Sequence, residues 1–229
     1  MGPRRFQAAI FDFDGVIADS IPLHYEAFRR VFAAEGVAFT FEDYRRTANG
    51  APRDKVIRTV LGQVEPERLK RLMAEKEREV MTLLGERGLE PIPGALEMAR
   101  DLRSRGLRTA VASSSRTARR FLEALEPRDD SCRPAISLFE AVLESDGIRA
   151  PKPDPEIFLM AAKAVGTEPE DCLAFEDAVQ GVRAARAAGM LVVALTTTED
   201  REALGEADLI FDSFGEIDLD ELLRVEGVS

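Results

Sequence analysis

The feature that most constrains the fold is a series of short apolar runs: Ala8 to Phe13, Leu107 to Ala112, Cys172 to Phe175, Leu191 to Leu195 and Leu209 to Phe211. Each is apolar at successive rather than alternate positions, the pattern of a strand covered on both faces. Helical patterns lie between most of them. Pro93-Gly94-Ala95 opens one that runs to Arg105 and stops at Gly106, a second follows Pro155 and ends near Gly166, and a third runs from Ala178 to Ala188-Gly189. Alternating strand and helix predict an α/β fold, a doubly wound parallel sheet with a Rossmann-like core and helices on both faces.

Residues 19–90 break the alternation. Leu23, Ala27, Val31 and Ala34 form one apolar stripe, and Leu69, Leu72, Met73, Lys76, Val80 and Leu83 lie on another amphipathic helix, with no strand between. This predicts a helical cap domain at 19–90 inserted into an α/β core made of 1–18 and 91–229. Gly85 to Pro91 reads as the linker returning to the core. With 229 residues, 45% of them hydrophobic, the chain is long enough for a domain and an insertion. It has no internal repeats and no low-complexity segment.

The net charge of −11 gives a field that repels nucleic acid and anionic membrane surfaces, so neither is expected as a partner. An anionic small molecule would need capture by local positive groups. No apolar run reaches the about 20 residues of a membrane span, and Asp12 and Asp14 come too early for a signal peptide. A cytoplasmic monomer is expected. Cys132 and Cys172, forty positions apart with no second pair, fit neither a zinc framework nor a disulfide scaffold and read as reduced thiols.

Ligands of open parallel sheets bind beyond the carboxyl ends of the strands. The first run leads into Asp12-Phe13-Asp14-Gly15, the second into Ser113-Ser114-Ser115 and the third into Glu176-Asp177, while Ala150-Pro151-Lys152-Pro153-Asp154 forms a proline-stiffened loop presenting one lysine. Carboxylates gathered at one sheet edge repel each other unless a hard cation with oxygen ligands neutralises them, and Mg²⁺ fits best. A lysine and several hydroxyls beside such a metal suit an anionic group such as phosphate.

These residues resemble the haloacid dehalogenase superfamily, in particular its β-phosphoglucomutase-like group of phosphatases and phosphomutases. Phe11-Asp12-Phe13-Asp14-Gly15-Val16 is similar to its first motif, Ala112-Ser113 to its second, Lys152-Pro153-Asp154-Pro155 to its third and Phe175-Glu176-Asp177 to its fourth, in the right order and over nearly the whole chain. The resemblance implies that Asp12 is the nucleophile that becomes an aspartyl-phosphate and that Asp14 is the general acid and base. It further implies that Ser113 and Lys152 bind the transferring phosphoryl group. Mg²⁺ would be held by Asp12, Glu176, Asp177 and the backbone carbonyl of Asp14.

The family's cap closes over the site and selects substrate, which gives His24, the chain's one histidine, a substrate-handling role. Gly50, Ala51 and Arg53 resemble the cap loop that binds a substrate's non-reacting phosphate. Ser114, Ser115, Arg116 and Thr117 lie at and beyond the second motif, where the family helps hold that distal group. Lys76, on a helix of alternating charge, reads as part of a solvated face.

The chain departs from the family pattern in two places. Pro151 replaces the usual Gly or Ser before the lysine, restricting the loop. From Arg128 to Pro134 the chain runs about seven residues longer than expected, as a surface-loop insertion. A phosphatase acting on a small phosphorylated metabolite such as a sugar phosphate is the favoured reading, and a β-phosphoglucomutase-type mutase is the alternative. A phospho-accepting receiver would carry its aspartate after a later strand, and a non-catalytic binding module would have no need of both Asp12 and Asp14.

Overall fold

The computed structural model describes residues 6–48, 51–125 and 133–225. Gly50, Cys132 and most of the insertion from Arg128 lie outside the described residues. The chain divides into two compact units, Ser20–Leu89 on one side and Met1–Asp19 with Glu90–Ser229 on the other.

The Ser20–Leu89 unit is helical: α1 (Ile21–Ala34), α2 (Phe41–Thr47), α3 (Arg53–Leu61) and α4 (Pro66–Arg87). Pro22 and Pro66 sit in the first turns of α1 and α4, where their fixed φ favours helix and the missing N–H costs nothing. Thr40 caps α2 through a reciprocal pair of hydrogen bonds with Asp43. Leu23, Ala27, Phe28, Val31 and Phe32 recur at helical spacing on the buried side of α1, which packs against α4. Phe28, Phe32, Phe39 and Tyr44 make an aromatic core, with Phe32 and Phe39 edge to face at 4.9 Å.

Three expectations for this stretch need correction. Ala34 is exposed at the last turn of α1, and Phe28 and Phe32 fill the stripe in its place. Gly85 is not in a linker: α4 continues to Arg87, and the helix stops only at Gly88, whose φ of 71° suits a residue without a Cβ. Lys76 is not on a solvated face. It is buried, with Nζ hydrogen-bonded to His24 Nδ1 at 2.7 Å and 5.0 Å above the Phe28 ring.

The other unit is a parallel sheet with helices. It contains β1 (Ala8–Phe11), α5 (Ala95–Ser104), β2 (Arg108–Ala112), α6 (Ala118–Ala124), β3 (Ala141–Leu143), α7 (Glu156–Ala164), β4 (Cys172–Glu176), α8 (Val179–Ala187), β5 (Leu191–Leu195), β6 (Leu209–Phe211) and α9 (Leu219–Leu222). The strand order is β3-β2-β1-β4-β5-β6, every pairing parallel. β1, β4 and β5 are buried at every position, as their unbroken apolar runs require.

One sheet face is lined by small side chains, Ala8, Ala110, Ala112, Ala174 and Ala194, which let α7 and α8 approach closely. On the other face Phe11 and Phe175 stack at 4.6 Å. β1 ends at Phe11, two residues earlier than the apolar run, because the chain bends at Phe13 into the turn at Gly15. The edge strand β3 has no counterpart among the predicted strands.

Candidate active site

The chain passes outward from β1 to β2 and β3, then returns to β4 on the other side of β1, so the order reverses between β1 and β4. Such a reversal opens a crevice at the carboxyl ends of the two strands. Phe11 is in register with Val111 and with Phe175, which sets the following residues, Asp12, Ala112 and Glu176, abreast. The Asp12 N–H donates to the Phe175 carbonyl at 2.9 Å, continuing the ladder one step past the strand.

Lys152 enters from the loop before α7. Its ammonium donates to an Asp12 carboxylate oxygen, to Glu176 Oε1 at 2.6 Å and to the Ala112 carbonyl at 3.0 Å, using all three donors. Pro151 therefore does not keep the lysine from the acids. Nζ also lies 4.7 Å from the Phe158 ring centre, so α7 provides the floor beneath it.

Asp12, Lys152, Glu176 and Asp177 are all buried, and one ammonium faces three carboxylates. Burial, eased by Lys152 and reinforced by Glu176 and Asp14, holds the Asp12 carboxyl well above the ordinary range. Burial, followed by the charges of Glu176 and Asp12, raises Asp177 as well. Lys152 would be lowered by burial, but its two carboxylate partners outweigh this and raise it, so it stays an ammonium.

The cluster carries more negative charge than Lys152 can neutralise. One oxygen from each of Asp12, Glu176 and Asp177 lies within 4.8 Å of the others, an all-oxygen donor set suited to a hard divalent cation. Asp14 is half-buried in the turn after Asp12 and is not part of this carboxylate group.

Two glycines make room for the acids. A Cβ on Gly181, in the first turn of α8, would stand 1.8 Å from Glu176 Oε1; a Cβ on Gly15, whose φ is +81°, would stand 2.0 Å from Asp177 Oδ2. Glu176 Oε2 turns back to accept the N–H groups of Asp177 at 3.0 Å and Ala178 at 3.3 Å. The buried Thr198 hydroxyl, beside Asp177, has no well-formed hydrogen bond among the described residues. The glycine cradle, which lets the carboxylates gather, and the charge that Lys152 leaves uncompensated fit a cation held among the acids.

Ser113, fully buried, accepts the Ser115 N–H through Oγ at 3.0 Å, which leaves its own proton for another acceptor. Ser115 and Thr117 share a hydroxyl contact of 2.6 Å, and Arg116 pairs with Asp146 on the same loop system. Ser114 is half-buried between them. The structure thus brings Ser113 to Thr117 together between β2 and α6.

In the helical unit, Arg53 opens α3 and pairs with Glu77 at 3.0 Å; Ala51 is half-buried two residues earlier, and His24 is buried against Lys76. Three residues near the acids were not singled out from sequence: Gly181, Thr197 and Thr198. The threonines follow the apolar run of β5, so the strand-end rule that pointed to Asp12, Ser113 and Glu176 could have found them.

The family model for haloacid dehalogenase-like hydrolases matches residues 6–189. The chain is 35% identical over 201 residues to "Protein CbbY" of Rhodobacter capsulatus, covering 85% of this chain and 87% of that protein. It is 32% identical over 210 residues to "Phosphorylated carbohydrates phosphatase" of Thermotoga maritima, covering 89% and 92%. Among solved structures, β-phosphoglucomutase from Clostridium difficile superposes with a TM-score of 0.82 at 26% identity, covering 95% of each chain.

Proposed function

Because the chain belongs to the haloacid dehalogenase-like hydrolases, we propose that it is a Mg²⁺-dependent phosphatase of small phosphorylated sugars that works through an aspartyl-phosphate on Asp12. The observation that carries this reading is the buried constellation at the β1/β4 crevice, with Asp12 tied to Lys152 and set among Glu176 and Asp177. The name of the Thermotoga relative, a phosphatase of phosphorylated carbohydrates, supports the substrate class.

In the first step an Asp12 carboxylate oxygen attacks phosphorus in line. The bond to the sugar oxygen breaks, and Asp14 gives its proton to that oxygen. In the second step Asp14, now a carboxylate, takes a proton from water as the water oxygen attacks the aspartyl-phosphate. Inorganic phosphate leaves and both acids return to their starting states. Ser113 donates to a phosphoryl oxygen, and Lys152 exchanges one of its present acceptors for another, so that the two hold the group for in-line attack.

Bound Mg²⁺ would be held by Asp12, Glu176, Asp177 and the Asp14 carbonyl and would supply positive charge to the transferring group. It would also draw Asp12 back to the ionised form that attack requires. Selection of the sugar we assign to His24, Ala51 and Arg53 of the helical unit, with Ser114 to Thr117 beside the chemistry.

A phosphomutase is the second reading, supported by the likeness to the Clostridium β-phosphoglucomutase. It uses the same acids with a sugar hydroxyl in place of water. A panel of sugar phosphates with Mg²⁺, including β-glucose 1-phosphate with a bisphosphate primer, separates phosphate release from isomerisation.

Asp12→Asn is the decisive variant. It should lose at least about a thousandfold in kcat while keeping its circular dichroism and Tm, and activity of the unaltered chain should vanish with chelator and return with Mg²⁺. A variant keeping a tenth of the rate would overturn the covalent mechanism.

A further inference from the structure

The Thr196-Thr197-Thr198 run turns off the end of β5 near the acids, and each threonine is tied differently. Thr196 is anchored to the neighbouring edge strand: its N–H donates to the Phe211 carbonyl at 3.0 Å and its hydroxyl to Asp212 Oδ1 at 2.9 Å. The Thr197 hydroxyl donates to the Gly15 carbonyl at 2.6 Å, joining the run to the turn that bears Asp14. With both predecessors fixed, Thr198 has little freedom in where its hydroxyl goes.

That hydroxyl is buried next to Asp177. The site a Cβ would occupy on Gly15 lies 2.0 Å from Asp177 Oδ2 and 2.6 Å from Thr198 Oγ1, so the missing side chain is what lets the two groups meet. Oγ1 is buried beside Asp177 and has no well-formed partner among the described residues. A buried hydroxyl is costly unless something accepts its proton. Asp177 shares its site with the carboxylates of Asp12 and Glu176, so a donor beside it would fix the orientation of its oxygens.

We propose that Thr198 is a positioning residue for the Asp177 carboxylate, holding it in the orientation that binds the divalent cation. This rests on the metal reading above. The role assigned to the hydroxyl acts through Asp177, in the way outer-shell donors orient metal-binding carboxylates elsewhere. The methyl group of Thr198 is incidental to the role, so serine should substitute and valine should not.

The test uses the full chain, stripped of metal with chelator and dialysed, in three forms: unaltered, Thr198→Val and Thr198→Ser. Mg²⁺ binding is measured by titration calorimetry, with no substrate present, and Tm is measured without metal. Thr198→Val should bind Mg²⁺ about tenfold more weakly with an unchanged metal-free Tm, and Thr198→Ser should bind within about twofold of the unaltered chain. Valine binding as tightly as threonine overturns the proposal while leaving the metal reading intact. Equal losses in both variants overturn it too, because the methyl and not the hydroxyl would then matter. If the unaltered chain takes up no Mg²⁺, the metal reading itself fails and takes this role with it.

Discussion

The two units handle charge in opposite ways. In the α/β unit, Asp12, Lys152, Glu176 and Asp177 are buried together; strand register sets Asp12 abreast of Glu176, and Lys152 joins them from the loop before α7. In the helical unit most charges are spread over the surface: Arg30 reaches Glu26, Glu79 and Glu86, and Glu26, hydrogen-bonded first by Arg29 and then by Arg30, has its carboxyl pulled down to about 2. Each of these pairs keeps at least one partner in contact with solvent, and such pairs contribute little each. The buried set is costly unless it is complete, because removing one member leaves its partners uncompensated. The backbone of the first unit therefore serves its charges, while the charges of the second decorate a packed aromatic core.

The same substitution, glycine to alanine within a helix, should expose this difference. Gly181→Ala puts a methyl group 1.8 Å from Glu176 Oε1, so the carboxylate must turn away from Lys152 and from the N–H groups of Asp177 and Ala178. Helix propensity would favour alanine by about 1 kcal/mol, far too little to offset the displaced carboxylate. The expected result is a loss of about 100-fold in kcat/KM together with weaker Mg²⁺ activation. Kinetics across a Mg²⁺ titration check it, and a variant within threefold of the unaltered chain would show that Glu176 has room to spare.

The same contrast explains what could be read from the sequence. The central strands were legible because burial on both faces leaves an unbroken apolar run, and the acids stood out because they follow such runs directly. β3, three residues long and half-buried at one edge of the sheet, was not among the predicted strands, although β6, equally short and half-buried at the other edge, was. Gly181 was invisible because its reason lies in Glu176, on the preceding strand. Lys76 misled for a similar cause. Its own helix is rich in alternating charge, and only the fold brings His24 and Phe28, from a helix some fifty positions earlier, around it. Sequence periodicity reports which face of a helix is apolar; it says nothing of a polar partner carried by another element.

Arg53 sharpens the comparison in the helical unit. It pairs with Glu77 and is mostly buried, unlike the surface arginines around it. If it binds the distal group of the substrate, Arg53→Ala should raise KM for a sugar bisphosphate by about tenfold, the loss of one charge-assisted hydrogen bond, with kcat little changed. On p-nitrophenyl phosphate, which has no second anionic group, kcat/KM should stay within twofold. Equal losses on both substrates would place Arg53 in the fold or the chemistry, and no loss on either would leave it as the partner of Glu77 alone.

The smallest expected effect completes the glycine pair. Gly85 lies in the last turns of α4, exposed, with nothing within 4 Å of where its Cβ would stand. Its backbone is helical, so alanine adopts the same conformation without strain, and glycine there only adds conformational freedom to the unfolded chain. Gly85→Ala should therefore stabilise the protein by about 0.5–1 kcal/mol and raise Tm by a few degrees, about 2–4 °C, with kcat and KM unchanged on every substrate. Thermal unfolding beside steady-state kinetics checks both halves. A lowered Tm would mean that α4 ends before Gly85, as the sequence pattern alone suggested, and that this glycine needs a conformation alanine resists. A changed kcat with a raised Tm would mean instead that turnover depends on looseness at the end of α4, and the helical unit would then be more than a packed support for its surface charges.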